Sequence, residues 1–230
     1  MTLAATATFG AGRDEPYAGA LRRNDRVELV LRPRGTDVAQ TAKTLTTMMD
    51  VARWNADADI ADLTLLRSAT GPLLDIGCGP GRMVRAAREV GLEVLGIDVS
   101  PTAVAIAREA GLPVMHGSIF DTVPGEGAWQ TVLLVDGNIG IGGDVRALLR
   151  RCMQLVADGG DIVVELHDDR DKHDVYTAHL VGTDGGLSEI FPWAQIGINP
   201  MVDLCVELGL RFRQAWDSSG RTFCRLATAK

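Results

Sequence analysis

Much that would assign this chain quickly is missing from it. Its four cysteines, at 78, 152, 205 and 224, form no CxxC pair and join no histidines at zinc-ligand spacing. That excludes a zinc site of the usual pattern and predicts reduced, mostly buried thiols. No apolar run is long enough to span a membrane. The opening MTLAATATFGAG has neither the positive start nor the apolar block of a secretory signal, so the cytoplasm is the expected location. Positive charge is scarce: 23 Lys and Arg face 30 Asp and Glu, a net charge of −7. Phosphate backbones repel such a chain at long range, which makes nucleic acid a poor candidate substrate. Internal repeats and low-complexity segments are also absent.

What is present is an alternating rhythm. The 230 residues suffice for one sizeable core. From residue 71 onward, short apolar strands alternate with helical patterns. Strands are expected at 73–76, 94–97, 113–115, 131–135 and 161–166. Helices are expected at 81–90, 101–110 and 145–156, the last with apolar positions 145, 148, 149, 152, 155 and 156 on a 3.6-residue period. This alternation predicts a parallel sheet with helices on both faces. The end of the chain differs. Asn199–Pro200 is read as the cap of a helix that Gly209 stops, and 210–216 with 222–227 flank a DSSG turn as an antiparallel hairpin. Residues 1–70 form an expected N-terminal cap or arm, with a strand at 27–31 and a helix at 57–68. Residues 167–198 break the rhythm and suggest a second hairpin that covers a substrate.

LLDIGCGPGR (73–82) raises the functional question. Glycines at 77, 79 and 81 let backbone approach a ligand in front of a helix N-terminus. A dinucleotide site wants GxGxxG, but Arg82 holds the position of the last glycine. Asp75 stands ahead of the loop, which suits a cationic ligand better than a pyrophosphate.

LLDIGCGPGR and GIDVS (96–100) resemble the first two motifs of the class I S-adenosylmethionine-dependent methyltransferases. The resemblance covers about 71–230 and also takes in GSIFD (117–121), TVLLVDGNIG (131–140) and ADGGDIVVEL (157–166). It implies a Rossmann-like α/β fold: a seven-stranded, mostly parallel sheet of order 3-2-1-4-5-7-6 with a C-terminal antiparallel hairpin. It implies S-adenosyl-L-methionine as cofactor, with Asp98 on both ribose hydroxyls. The loop of Asp75, Gly77, Cys78 and Gly79 would hold the cofactor. Val99, Ser118 and Ile119 would lie at its adenine side, and Asp136 and Gly137 near its methionine part. Cys78 is read as a small residue whose backbone meets the cofactor, with no histidine nearby in sequence to activate its thiol.

For catalysis, the expected general base is His167, at the end of the fifth core strand. Asn138, in the glycine-rich DGNIGIGGD (136–144), is a second candidate near the acceptor. Asp136 with Asp168 and Asp169 matches the acid placement of magnesium-dependent catechol methyltransferases. The lysine those enzymes carry three residues beyond the first acid is Ile139 here, and no metal is assigned. Tyr17, Trp54 and Trp193 either line a pocket or anchor the cap. Arg82, Arg85 and Arg88 are read as solvated charge. The expected reaction is methyl transfer to an O or N atom of a small molecule. Three rivals remain: an RNA or protein methyltransferase using the arginines of 22–34, a nicotinamide oxidoreductase, and a non-catalytic module that binds the adenosyl ligand.

Overall fold

A computed structural model describes residues 7–12, 15–33 and 44–228. In chain order it contains α1 (Pro16–Arg23), β1 (Arg26–Pro33), β2 (Leu45–Asp50), α2 (Val51–Asn55), α3 (Ile60–Arg67), β3 (Leu73–Ile76), α4 (Arg82–Glu89), β4 (Val94–Asp98), α5 (Pro101–Glu109) and β5 (Val114–His116). There follow β6 (Trp129–Leu134), a 3-10 segment (Asn138–Gly143), α6 (Val145–Leu155), β7 (Val156–Leu166), β8 (His173–Gly182), β9 (Phe191–Ile196), α7 (Ile198–Leu208), β10 (Leu210–Ser218) and β11 (Arg221–Thr228). No helix among the described residues is long and apolar enough to cross a membrane.

The core sheet has seven strands in the order β10-β11-β7-β6-β3-β4-β5. Read from β5 inward, this is the 3-2-1-4-5-7-6 arrangement. β3, β4, β5, β6 and β7 pair in parallel, and β11 runs antiparallel to both β7 and β10. The four residues of β3 are all buried because helices cover both faces. Leu73 packs with Leu65, Leu66, Met83, Val84, Ala87 and Val104 of α3, α4 and α5. Leu74 and Ile76 pack with Leu148, Leu149, Cys152, Met201 and Leu204 of α6 and α7. The period of two in the strand thus sorts side chains between two helical layers. Ser100 caps α5, its side chain accepting from the Ala103 N–H, with Pro101 opening the helix.

The second sheet has four antiparallel strands, ordered β2-β1-β8-β9. Two come from the N-terminal region and two from the 167–198 segment. β1 pairs with β8 through Val27↔Gly182 and Leu31↔Ala178, and β8 pairs with β9 through Tyr176↔Trp193. The two segments, read from sequence as separate covers, form one sheet. Val27, Leu29 and Leu31 share its inner face with Tyr176, Ala178, Leu180, Phe191 and Trp193, over Tyr17 of α1.

One cap differs from expectation. Helix α7 starts at Ile198 with Gly197 at its N-cap, and the Asn199 side chain instead donates to Asp171 at 2.6 Å. A Cβ at 197 would lie 2.1 Å from the Asp169 carbonyl oxygen, so only glycine fits where the chain enters the helix. At the other end, Gly209 closes α7 in the left-handed conformation, φ 70°.

Candidate active site

A cavity of about 470 Å³ lies between the carboxyl ends of β3, β4 and β6 and the four-stranded cap sheet. Strand order reverses between β3 and β6, and crevices of open α/β sheets form at that switch.

The β3–α4 turn makes its floor. Gly77, Gly79 and Gly81 all have positive φ, 71°, 54° and 95°. Their surroundings differ. A Cβ at Gly77 would lie 2.7 Å from the Asn138 amide group, and one at Gly81 would lie 2.5 Å from Leu112. Gly81 therefore serves packing, where the sequence suggested ligand approach. At Gly79, among the described residues other than its chain neighbours, such a Cβ would meet only the Tyr17 hydroxyl, at 3.3 Å, so this glycine leaves the backbone open to the cavity. The Cys78 thiol packs toward Gly96, and burial raises its pKa well above the ordinary value, the surroundings of a structural thiol.

Two carboxylates define the polar end. Asp98 accepts from the N–H of Gly79 at 2.8 Å and of Ser100 at 2.7 Å, one to each oxygen. Each oxygen keeps a further lone pair for a ligand hydroxyl. Burial raises the Asp98 pKa, and the Ser100 and Gly79 N–H groups pull it back down. Asp75 is 1% exposed, and neither of its oxygens has a hydrogen-bond partner. Burial first, then the charges of Asp136 and Asp98, push its pKa up to about 8. A buried acid left without donors is costly unless something cationic or hydrogen-donating meets it.

Asp136 follows β6 with φ 54°, a left-handed conformation that aspartate tolerates better than most residues. Its carboxylate pairs with Arg82 and with Arg221, the latter at 3.3 Å, while its N–H donates to Glu165 at 2.6 Å. Arg82 also pairs with Asp62, and Arg221 reaches Asp62 at 2.7 Å and Glu165 at 2.6 Å. Arg82 is 4% exposed, which overturns its reading as solvated charge. It sits at the first position of α4, where Asp62 of α3 and Asp136 converge on it. Arg85 is half-buried and Arg88 exposed, as a helix surface requires. Asn138 donates to the carbonyls of Ile76 at 2.8 Å and Gly77 at 3.0 Å, tying the β6 loop to the β3 loop.

Val99, Ser118 and Ile119 line the cavity beside Asp98. Arg151 of α6 steadies that stretch by donating to the carbonyls of Ile119 at 2.8 Å and Asp121 at 2.7 Å. Gly137 does not line the cavity; it turns the loop, with φ 83°. The far wall is aromatic. Phe9, Tyr17, Trp54 and Trp193 line it, with Phe9 5.1 Å from Tyr17 and 5.5 Å from Trp193 between ring centroids. Phe9, Met49, Phe120 and Ile141 were not anticipated. They come from irregular or cap segments whose placement only tertiary pairing reveals.

The structure does not bring His167 to this cavity. Its N–H donates to the Ile196 carbonyl at 2.9 Å, which turns the chain toward β9 and α7. Its Nδ1 lies 3.0 Å from the Asp169 nitrogen and 2.9 Å from the Asp168 carboxylate. The strand end is diverted, so the residue expected as general base stands outside the cavity lining. Asp168 is 88% exposed at its side chain, while Asp136 is engaged by arginines, so the three acids do not converge.

A family model described as a methyltransferase domain matches residues 52–196, more than half of the chain. The chain belongs to this methyltransferase family. The methyl donor of the family is S-adenosylmethionine. Comparison with curated proteins gave no match in sequence. Among solved structures, an S-adenosylmethionine-dependent methyltransferase from Bacteroides fragilis, in complex with S-adenosyl-L-homocysteine, is 20% identical. It superposes with a TM-score of 0.77 over 98% of this chain and 99% of that one. The CcbJ methyltransferase of Streptomyces caelestis is 18% identical, TM-score 0.55, over 77% and 92% of the two chains. The 1,6-didemethyltoxoflavin-N1-methyltransferase of Burkholderia thailandensis is 14% identical, TM-score 0.57, over 77% and 81%. At these identities the structures show a shared fold.

Proposed function

We propose that this methyltransferase moves the methyl group of S-adenosylmethionine to an O or N atom of a small molecule. The observation that carries this reading is the two-ended cavity of about 470 Å³, a volume typical of small-molecule sites and roofed by the cap sheet. The residues fit the methyl donor. Asp75 offers an unpartnered buried carboxylate to a cationic ligand, Gly79 an open backbone, and Asp98 spare lone pairs for the ribose hydroxyls. Gly77 and Cys78 would complete the cradle, Val99, Ser118 and Ile119 the adenine side, and Asp136 the methionine side, with Gly137 only turning the loop behind it. S-adenosylmethionine, when bound, supplies an electrophilic methyl on a sulfonium. The protein's part is then to hold the acceptor atom in line and to exclude water. Asn138 serves as a positioning residue, and no proton transfer is assigned to His167.

In this reading residues 1–70 and 167–198 together cover a catalytic domain spanning 71–230. Two features of the structurally similar proteins support a small acceptor: one is named for action on 1,6-didemethyltoxoflavin and another as a glycopeptide N-methyltransferase. A macromolecular acceptor on the arginine arm gains no support. Arg22 donates to Thr102 at 3.2 Å and Arg23 approaches Asp25 at 3.9 Å, while Arg34 lies outside the described residues.

Labelled S-adenosylmethionine, incubated with the protein and a cell extract split by size, tests the acceptor class. Label in the small-molecule fraction supports the reading; label only in RNA or protein overturns it. The donor site is tested separately. Asp98→Ala should weaken S-adenosylhomocysteine binding by about 100-fold in calorimetry, the worth of one or two charge-assisted hydrogen bonds.

A further inference from the structure

The two ends of the cavity are built from different chemistry, and the difference bears on the acceptor. One wall is formed by Phe9, Met49, Trp54, Ile141 and Trp193, and Tyr17 joins it to the Asp98 end, with its hydroxyl over Gly79. The rings stand at varied angles. Phe9 and Trp193 are tilted by 37°, Phe9 and Trp54 by 76°, and Tyr17 and Trp54 by 78° at 5.7 Å. Phe9 itself touches four aromatic neighbours, at 5.1 to 6.5 Å. These rings pack on one another, and the faces they leave toward the cavity are apolar and flat.

The polar side chains beside that wall are largely spent. The Asp136 carboxylate is held by Arg82 and Arg221, and the Asn138 amide donates to the Ile76 and Gly77 carbonyls. A polyhydroxylated acceptor would bury several hydroxyls against rings with few partners, and unpaired buried hydroxyls oppose binding. A flat ring loses nothing there and gains face and edge contacts. The Tyr17 hydroxyl, directed toward Gly79, remains to meet a single heteroatom at the junction of the two ends.

We propose that the acceptor is a flat aromatic compound with one nucleophilic oxygen or nitrogen, lying against the cavity faces of Phe9, Trp54 and Trp193 with that atom turned toward Gly79. This rests on the methyltransferase reading above. The acceptor's lone pair forms the bond to the methyl carbon. The carbon–sulfur bond breaks with its electron pair on sulfur, leaving S-adenosylhomocysteine, and the acceptor's proton passes to solvent.

Protein saturated with S-adenosylhomocysteine is titrated in a calorimeter with 6-hydroxyquinoline and 6-aminoquinoline, and with glucosamine and methyl glucoside as counter-probes. Transfer of labelled methyl to each is measured in parallel. Binding of the quinolines, transfer to at least one, and neither for the sugars is the expected result. Transfer to glucosamine, or failure of both quinolines to bind, overturns the proposal while leaving the methyltransferase reading intact. Absence of S-adenosylhomocysteine binding overturns that reading and this one with it. Trp54→Ala should raise the quinoline KM by about tenfold, with the S-adenosylhomocysteine Kd within about twofold of wild type, and Trp54→Phe should restore most of it. An unchanged KM in Trp54→Ala would remove the aromatic wall from acceptor binding.

Discussion

The core sheet and the cap sheet reach the cavity by opposite routes. Core strands are joined by helical crossovers, so neighbours in space arise from a regular rhythm along the chain. The cap sheet joins β1 to β8, pairing Leu31 with Ala178 across most of the sequence. Their chemistry divides the same way. The core supplies Asp75, Asp98 and the open backbone of Gly79, and the cap side supplies Phe9, Tyr17, Trp54 and Trp193. A donor site can thus stay fixed by local turns while an acceptor wall is remodelled by changes in a separately assembled sheet. Substitutions that loosen one region and spare the other test this division.

The largest effect is expected in the buried charge cluster where α3 and the β6 loop of the core meet α4. Arg82 lies between Asp62 of α3 and Asp136 of the β6 loop. Arg82→Met would leave both acids short of a partner, with Asp62 buried and Asp136 only 17% exposed at its side chain. Breaking a buried pair in this way costs about 3–5 kcal/mol. Denaturant unfolding should show the midpoint falling with the slope unchanged; a loss under about 1 kcal/mol would mean that water or Arg221 compensates.

Next comes Asp75. Its pKa is about 8 in the fold against 3.8 in a free chain. The raised value means that the folded state holds its proton more tightly. The stability attached to that proton is complete below about pH 4 and drains away as pH rises toward 8. Asp75→Asn stays neutral throughout. The variant should match wild type near pH 4 and exceed it by a few kcal/mol near pH 8, measured without ligand. A difference that stays flat with pH would mean the carboxylate is ionised and solvated in the free protein.

Third is Gly140, where the 3-10 segment meets β9. An added Cβ there would stand 2.4 Å from the Ala194 carbonyl oxygen and 2.6 Å from the Trp193 ring. Gly140 is outside the left-handed region, so alanine meets a steric obstacle alone. Gly140→Ala should cost about 1–3 kcal/mol as overpacking does, with acceptor binding weakened and S-adenosylhomocysteine binding kept. Equal losses at both ligands would show that the two regions do not act separately.

This glycine also marks the boundary of what the sequence made legible. The core strands and the closing hairpin follow from local periodicity and turn residues, their order was implied by the resemblance to the methyltransferases, and the structure has both. The strand at 27–31 and the hairpin after residue 172 were also readable. Their mutual pairing was not, because nothing local encodes which distant edge a strand will meet. The glycines of DGNIGIGGD had no reading beyond bare flexibility or nearness to the ligand. Those at 140 and 143 are there because β9 lies against them, a Cβ at 143 reaching within 2.7 Å of Pro192. His167 was misplaced for a related reason: the end of β7 bonds to the Ile196 carbonyl of a strand the rhythm does not include. The Asp75 and Asp98 carboxylates, by contrast, stand where the strand-end pattern put them.

The smallest effect is expected one turn along α4 from Arg82. Arg85 pairs with Asp57 at 3.5 Å, but its side chain is 37% exposed and that of Asp57 is 95% exposed. Solvent screens such a pair, and ordering two mobile side chains offsets the attraction. Arg85→Ala should therefore shift stability by less than about 0.5 kcal/mol, leaving S-adenosylhomocysteine affinity unchanged. The two arginines share residue type, helix and charge, and differ only in what the arm brings to them. If Arg85→Ala cost as much as Arg82→Met, burial between α3 and the β6 loop would not be what gives Arg82 its weight. The rigid frame that the core gives the donor site would then owe nothing to this buried cluster.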